Sequence, residues 1–370
     1  MGRIHLQKKC FEDALKDFDE AKKIFSDLGF KQGVGVTLMH KGVVYLNQGR
    51  LEGALEINEE ALEILRESND EHNEALILAR MAHLYDKLGR SDEALKTYDI
   101  AKKISHEIGD VNTEGLSLIG IAVLYSNLGK WKEALKAYEV ALKLFQNHGD
   151  KDSECRTLMS LAILYRQHDC WEDAIKVYED ALKIFRYNKD KEIENRVLIE
   201  MVDIYAKQDR WDEVLKIYEI LLKFARDIYD LDKEYIILMN MGRIRLKQKC
   251  EDEALKIFED AFKVSSACKD EHRKNKTLMD MGYIYSQQSH WDVAIRTFGE
   301  ALKGFQALSD KHNEALASMN IADVYNRQNQ DDKAAFYFKI AREKLNPDSP
   351  ESKSVIDWLN NHINNQPSHI

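Results

Sequence analysis

The side chains that most often do chemistry in enzymes are present in this chain, but their spacing assembles no site. The histidines lie at unrelated positions, and no two share one helical turn as metal ligands would; they include His40, His83, His148, His168, His290 and His312. Paired carboxylates such as Glu59-Glu60 are common, and on solvent-facing helices they favour solubility over acid–base work. The cysteines form no CxxC or Cys/His pattern; they are Cys10, Cys155, Cys170, Cys250 and Cys268.

Motifs of the common catalytic classes are also absent. The chain has no GxxxxGK[ST] phosphate loop, no GxSxG nucleophile and no HExxH zinc motif. It also has no strand pattern that could hold such a loop. We therefore expect no enzyme activity, no metal and no cofactor.

A forty-residue repeat decides how all of these side chains are positioned. Two columns of alanine return at this period, one interrupted by Val214 and the other by Leu221. The first column is Ala14, Ala54, Ala94, Ala134, Ala174, Ala254, Ala294 and Ala334, and the second is Ala21, Ala61, Ala101, Ala141, Ala181, Ala261, Ala301 and Ala341. Because each unit can bury its apolar face only against its neighbours, the pattern predicts a solenoid.

The stretch from Gly115 to Phe145 shows how one unit is built. Apolar residues three and four apart predict two amphipathic helices, and Gly129 ends the first. Small residues at 122, 134 and 141 let the two helices approach closely, so the pair is predicted to form an antiparallel hairpin. No proline precedes Pro347, so nearly all of the chain can be helical.

Acidic residues mark the start of each unit. A recurring aspartate is placed to cap the next helix, at Asp70, Asp110, Asp150, Asp190, Asp230, Asp270 and Asp310. A glutamate follows four residues later, favourably near the helix N-terminus, at Glu74, Glu114, Glu154, Glu194, Glu234 and Glu314.

Three further columns give the chain a family resemblance. A small residue recurs at Gly42, Ala82, Ala122, Ala162, Gly282 and Ala322. A tyrosine recurs at Tyr45, Tyr85, Tyr125, Tyr165, Tyr205, Tyr285 and Tyr325, and an aromatic residue at Tyr98, Tyr138, Tyr178, Tyr218, Phe258, Phe298 and Phe338. With the alanine columns, this pattern resembles the tetratricopeptide repeat (TPR) family. The forty-residue period is similar to the subclass of Pins/LGN-type scaffolds, kinesin light chains and bacterial regulatory proteins.

The resemblance implies an all-α fold, a right-handed α-solenoid of about eight and a half helix hairpins. It also implies a concave face, lined by the first helix of each hairpin, that binds a protein or peptide partner. Family scaffolds that clamp acidic peptides carry asparagines on this face. Here the corresponding positions are Val43, His83, Val123, Ile163, Asp203, Arg243, Tyr283 and Asp323, so that mode of recognition is not expected.

A methionine-rich column is the first candidate for partner contact on that face. Flexible thioethers suit a groove that accepts an apolar helix or strand. The predicted groove residues are Met39, Met159, Ile199, Met239, Met279 and Met319, with Ala79 and Ile119 at the remaining places of the column. The alternative is that the column packs against the adjacent first helix.

A basic cluster on the same face is the second candidate. Its arginines could pair with carboxylates or phosphates of a partner; its members are Arg156, Arg166, Arg196, Lys207, Arg243 and Lys247. The alternative is internal ion pairing, because Glu200 and Asp203 lie among them.

The pattern breaks between residues 202 and 251. In the seventh repeat Arg245 replaces the packing tyrosine, Lys249 replaces the turn glycine and Glu251 replaces a tryptophan. This repeat is therefore expected to be locally weak, and residues 202–251 are a candidate hinge. Repacking without any hinge is the alternative.

The two ends of the repeat array differ. Residues 1–346 are predicted to form the solenoid, with a first repeat that lacks its N-terminal half, as in a fragment or an end that docks on a partner. Residues 347–364 are predicted to form a capping helix that opens at Ser349-Pro350 and covers the last unit, and 365–370 a flexible tail.

Composition narrows the class of partner. The net charge of −10 disfavours binding to nucleic acids and to anionic membranes. The sequence shows neither a membrane span nor a signal peptide, so we expect a cytoplasmic protein. The preferred hypothesis is a non-enzymatic scaffold that binds a peptide or helix of a partner protein. The alternative is a regulatory sensor domain of a larger signalling or defence protein that controls an attached effector.

Overall fold

A computed structural model describes residues 2–8, 10–188, 190–345 and 350–363. In these ranges every regular element is an α-helix. The odd-numbered helices from α1 to α17 are the first helices of the repeats. The helices are α1 Gly2–Gln7, α2 Phe11–Asp27, α3 Lys31–Asn47, α4 Leu51–Glu67, α5 Glu71–Lys87, α6 Ser91–Glu107, α7 Val111–Asn127, α8 Trp131–His148, α9 Lys151–Gln167, α10 Trp171–Asn188, α11 Lys191–Lys207, α12 Trp211–Asp227, α13 Leu231–Lys247, α14 Glu251–Ala267, α15 Glu271–Gln287, α16 Trp291–Ala307, α17 Lys311–Arg327, α18 Asp331–Lys344 and α19 Pro350–Ile363.

The chain divides into two compact units, Met1–Val197 and Leu198–Ile370, with the boundary inside α11. In unit 1 each helix from α1 to α10 packs against the next one along the chain, and in unit 2 the same holds from α12 to α19. Neighbouring first helices also touch, α3 with α5 and α5 with α7 in unit 1, and α15 with α17 in unit 2. Sequential packing of helices confirms the predicted all-α repeat architecture.

The small-residue columns lie where the helices approach most closely. Ala134 and Ala141 in α8 are fully buried, as are most of their counterparts in the other second helices. Val214 and Leu221, which interrupt the columns, are also buried, so α12 takes larger side chains into the same positions. An alanine at such a contact lets two backbones approach to within the short interaxial distance of tight helix packing.

Each predicted aspartate cap is present. The carboxylate accepts a hydrogen bond from the backbone N–H three residues ahead at 3.0 to 3.2 Å, at Asp70, Asp110, Asp150, Asp190, Asp230, Asp270 and Asp310. Each cap satisfies one of the four amides that a helix N-terminus leaves unpaired. The first helices from α5 to α17 therefore all begin at the same place in the repeat.

The turns inside the hairpins keep one backbone shape even where glycine is missing. Gly129 has a φ of 71°, in the left-handed region, and Lys249 adopts the same region with a φ of 61°. Because a side chain at positive φ is strained, Lys249 holds its turn at an energetic cost.

The predicted weak region at residues 202–251 has intact helices and a polar substitute for the missing aromatic contacts. Arg245 pairs through Nε with Glu253 at 2.9 Å and donates from Nη1 to Gln248 at 3.0 Å. The ammonium group of Lys247 lies 4.8 Å from the ring centre of Trp211. The hinge at this place stays a prediction.

The last helix, α19, packs on α18. Val355 and Leu359 are buried, Ile356 is half-buried, and the rings of Phe338 and Trp358 lie 4.5 Å apart. This apolar contact is of the kind expected for a capping helix. Ser349, the side chain of Ile363 and the predicted tail fall outside the described residues.

Candidate functional site

Two first helices of unit 1, α7 and α9, carry apolar side chains that are open to solvent. Leu116 is 52% exposed and Val123 is 38% exposed, and they lie two turns apart on α7 with Ile119 half-buried between them. On α9 Ile163, the counterpart of Val123, is 37% exposed. We call the residues at positions 36, 39, 40 and 43 of α3, and those at forty-residue intervals after them, the first-helix face.

Packing of the first helices makes this face continuous from α3 to α7. Contacts of α3 with α5 and of α5 with α7 place their solvent-facing stripes side by side. Caps tie the same helices together, because Gln32 donates to the cap residue Asp70 at 2.6 Å and His72 lies 2.9 Å from Asp110. Well-packed helices therefore hold the exposed side chains in fixed positions.

Unit 2 carries its own first-helix face, with a different composition. Ile199, Ile236 and Tyr283 are exposed on α11, α13 and α15. Charged groups of both signs stand beside them, and Arg243 Nη2 donates to Asp280 Oδ2 at 3.2 Å. Burial raises the pKa of Asp280 above its ordinary value, although Arg243 opposes that shift.

The methionine column is divided between two environments. Met39 and Met239 are 2% and 4% exposed, and the sulfur of Met239 lies 3.5 Å from the hydroxyl of Thr277 on the next first helix. Met159, Met279 and Met319 are half-buried, and Ile199 is exposed. Met239 thus packs against the next first helix, and Met39 is buried in the core of unit 1. Partner contact by the more accessible members stays a prediction.

The basic cluster does not lie within one unit. Arg156, Arg166 and Arg196 belong to unit 1, where Arg156 and Arg196 are exposed and Arg166 is half-buried. The Nε of Arg156 lies 3.4 Å from the carbonyl oxygen of Asp152 on its own helix.

The other three basic residues belong to unit 2. Arg243 pairs with Asp280, and Lys247 covers the ring of Trp211, so both have contacts within the chain. Lys207 is exposed at the end of α11. Arg243 supports the alternative of internal pairing, although its acidic partner is Asp280 and not the predicted Glu200 or Asp203.

Sequence reasoning missed the register of the exposed stripe. Position 39 was predicted, whereas the exposed large apolar residues of α7 and α9 occupy positions 36 and 43 of the repeat. These positions lie three residues before and four residues after position 39, which puts them on the same side of the helix but further from the neighbouring helix. Leucine at 116 and valine at 123, where polar residues suit a solvent-facing stripe, were the available signal.

Sequence models of one repeat family match most of the chain. A tetratricopeptide repeat model matches residues 1–67, 33–105, 113–186 and 233–307, and a second tetratricopeptide repeat model matches 279–350. The chain belongs to the tetratricopeptide repeat family. The columns of alanine, tyrosine and small residues described above are therefore the TPR packing positions.

Solved structures give the same fold. BtubC (BKLC) from P. vanneervenii is 21% identical, with a TM-score of 0.52 over 60% of this chain and 92% of that chain. The apo form of RapI is 13% identical, with a TM-score of 0.52 over 93% of this chain and 95% of that chain. A sequence comparison with curated proteins gives no match. At these identities the likenesses show the TPR fold alone.

Over the described ranges, no group of three or more histidine, cysteine, aspartate or glutamate side chains could hold a metal ion. Within the same ranges, no helix is long and apolar enough to cross a bilayer. The exposed apolar side chains of α7 and α9 make the first-helix face of unit 1 a candidate site for a protein partner.

Proposed function

We propose that this TPR protein is a non-enzymatic interaction scaffold whose first-helix faces hold a peptide segment or helix of a partner protein. The observation that carries the proposal is the exposure of Leu116, Val123 and Ile163 on the first-helix face of unit 1. Apolar side chains that are exposed together on one helix face, as Leu116 and Val123 are on α7, mark sites of interaction.

The surroundings of these side chains favour binding. Leu118 and Ile121 are buried on the opposite side of α7, and Leu161 and Leu164 are buried in α9. Because the helices are already ordered by this packing, a partner that covers the stripe orders few additional groups of the scaffold. Burial of apolar area contributes about 25 cal/mol per Å², so covering these side chains favours the binding of an apolar segment.

The first-helix face of unit 2 provides a second, more polar surface. Ile236 and Tyr283 supply apolar area there, and the ion pair between Arg243 and Asp280 supplies charges that a partner could compete for. Tyrosine is enriched where one end of a side chain is apolar and the other forms hydrogen bonds. We propose that this face binds a segment of different composition from the one bound by unit 1.

Affinity capture from the native host with quantitative mass spectrometry tests the proposal. The full chain is compared with the double variant Leu116→Asp/Val123→Asp and with Val140→Asp, which makes the same type of change at an exposed site of the second helix α8. We expect one protein to be lost with the double variant and retained with the control. Equal retention by all three chains would contradict the proposal.

The sensor alternative predicts a different result of the same capture. In a sensor, the stripe would bind an inducer and an effector would be attached to the TPR array. The double variant would then leave every captured protein in place but abolish a change in effector activity. Among the described residues no observation favours this alternative over the scaffold.

A further inference from the structure

The turn between α12 and α13 presents three neighbouring apolar side chains to solvent. Tyr229 is 87% exposed, Ile228 is 48% exposed and Leu231 is 36% exposed. Among the large apolar residues that the structure describes, none is more exposed than Tyr229. Because so little of its ring is covered, Tyr229 contributes little to the packing of the fold.

The backbone at Tyr229 is a second, independent observation. Its φ of 56° lies in the left-handed region, where a bulky side chain is strained. The equivalent turns of other repeats adopt the same region without an aromatic ring, with Gly29, Asn69, Gly109, Gly149, Lys269 and Ser309. Neither packing nor backbone preference therefore favours a tyrosine here, and strain kept at an exposed residue points to a function.

The charges beside this turn favour a basic ligand. Arg226 Nε lies 2.6 Å from Glu234 Oε1, and Lys233 Nζ lies 2.9 Å from Asp230, so both cations are neutralised within the chain. Asp227 is exposed at the end of α12, and it forms no ion pair with the residues that the structure describes. The charge that this turn leaves uncompensated is thus negative.

We propose that the Tyr229 turn, residues 227–231, binds a basic and apolar segment of a partner protein, an arginine of which stacks on Tyr229 and pairs with Asp227. Guanidinium groups stack on aromatic rings and pair with carboxylates, so one arginine satisfies both side chains. Ile228 and Leu231 contact apolar residues of the same segment. The turn lies outside the first-helix faces, so this second site does not depend on the proposed function.

Other tyrosines of unit 2 show the same stacking within the chain. The guanidinium carbon of Arg210 lies 4.5 Å from the ring centre of Tyr205, and that of Arg273 lies 5.2 Å from the ring centre of Tyr235. The ring of Tyr229 is exposed instead, so its surface is accessible to an arginine of another molecule.

The backbone of the turn is ordered before any partner binds. The N–H of Tyr229 donates to the carbonyl of Arg226 at 3.1 Å, and the N–H of Leu231 donates to the carbonyl of Tyr229 at 3.1 Å. Ala225 in α12 and Tyr235 in α13 are buried on either side. Because the flanking helices fix the turn, binding orders few further groups beyond the exposed side chains.

A displayed library of short random peptides, selected on the full chain and counter-selected on Tyr229→Asn, tests this inference. Asparagine occupies the equivalent turn at Asn69 with a positive φ, so the variant is expected to keep the turn. The retained peptides are expected to combine arginine with apolar residues. Replacing that arginine by citrulline, its neutral counterpart, should weaken binding roughly threefold to thirtyfold through loss of the stacked cation and its ion pair.

Variants of the protein assign the contacts to single groups. Tyr229→Phe keeps the ring and is expected to bind as the wild type does, whereas Tyr229→Leu removes the aromatic face and should weaken the arginine peptide. Asp227→Asn should weaken the arginine peptide and leave the citrulline peptide unchanged. Lys269→Asn makes a change at the equivalent turn of the next repeat and is the control, expected to preserve binding.

Thermal unfolding separates a binding role from a structural one. Tyr229→Asn relieves strain and removes little packing, so it should unfold at the same temperature as the wild type or at a higher one. A lower midpoint would show that the tyrosine supports the fold and would overturn the inference.

The binding data can also contradict the inference. It fails if no selected peptide depends on Tyr229, or if the dependent peptides bind equally well with citrulline. It fails as well if the chain binds phosphatidylcholine vesicles through Tyr229 and no peptide does, because the turn would then contact lipid. None of these outcomes involves Leu116 or Val123, so a failure of the proposed function is detected separately.

Discussion

Arg186 at the end of α10 donates from Nε to Oε1 of Glu194 in the first turn of α11, at 2.8 Å. Lys191 donates to the other oxygen of the same carboxylate at 2.7 Å. The arrangement recurs eight residues apart at Arg66 with Glu74 and at Arg226 with Glu234. The carboxylate of the glutamate thereby connects the last turn of a second helix to the first turn of the first helix in the next repeat.

Removal of this carboxylate is expected to destabilise the fold. Glu194 is buried, whereas Arg186 and Lys191 are half exposed, so Glu194→Ala loses two charge-assisted hydrogen bonds that are only partly screened. We expect a loss of about 1 to 3 kcal/mol in the free energy of unfolding. Urea titration followed by circular dichroism measures it. Glu192→Ala, at an exposed position of the same turn, is the control and is expected to change stability by under about 0.5 kcal/mol.

The same carboxylate predicts how stability depends on pH. Burial acts to raise the pKa of Glu194, but hydrogen bonds from Lys191 and Arg186 outweigh it, and the pKa lies below its ordinary value of 4.5. A carboxyl group whose pKa is lower in the folded state than in the unfolded state stabilises the fold when the pH is above its pKa in the unfolded state. This stabilisation is lost as the pH falls through the pKa of the folded state. Wild-type stability should therefore fall below about pH 4.5, and Glu194→Gln should show a shallower fall. An equal slope for both chains would contradict this.

Two helical glycines are expected to respond in opposite directions to alanine. A Cβ at Gly115 would lie 2.1 Å from the ring of the buried Phe145, whereas a Cβ at Gly299 meets nothing within 4 Å. Gly115→Ala should destabilise the protein by about 1 to 3 kcal/mol through overpacking. Gly299→Ala should stabilise it by about 0.5 to 1 kcal/mol through helix propensity. Thermal unfolding of the two variants, monitored at 222 nm, distinguishes the signs.

The strained turn at Lys249 is expected to accept glycine. Relief of the positive φ favours Lys249→Gly, and the greater freedom of glycine in the unfolded chain opposes it. We expect a net gain of about 0.5 kcal/mol in the free energy of unfolding. Lys256→Gly, at an exposed position inside α14, should instead lose about 1 kcal/mol. Destabilisation by both variants in chemical denaturation would show that the left-handed turn carries no strain.

The sequence was sufficient for the parts of the fold that repeat. The forty-residue period, the alanine columns and the aspartate caps predicted the helix hairpins and where their first helices begin. These features are readable because capping a helix needs an aspartate or a similar residue, and close contact between helices needs a small one. Less predictable were contacts between side chains whose meeting depends on three-dimensional packing. Arg50 over the ring of Tyr45 at 4.1 Å, and Arg90 over Tyr85 at 4.5 Å, are examples.

The candidate site was predicted less well than the fold. Helical spacing identifies which residues share a side of a first helix, but it does not tell how far the neighbouring helix covers that side. Met239 is therefore covered, whereas Leu116, in the stripe beside the methionine column, remains exposed.

Site-specific photo-crosslinking in the native host tests the central claim most directly. A photoreactive phenylalanine analogue is placed in the full chain at Leu116, at Val123 or at Val140, three exposed apolar positions. The account predicts that positions 116 and 123 crosslink the same protein and that position 140 does not. Crosslinks to a common protein from position 140, with none from 116 or 123, would contradict the assignment of the first-helix face as the binding surface.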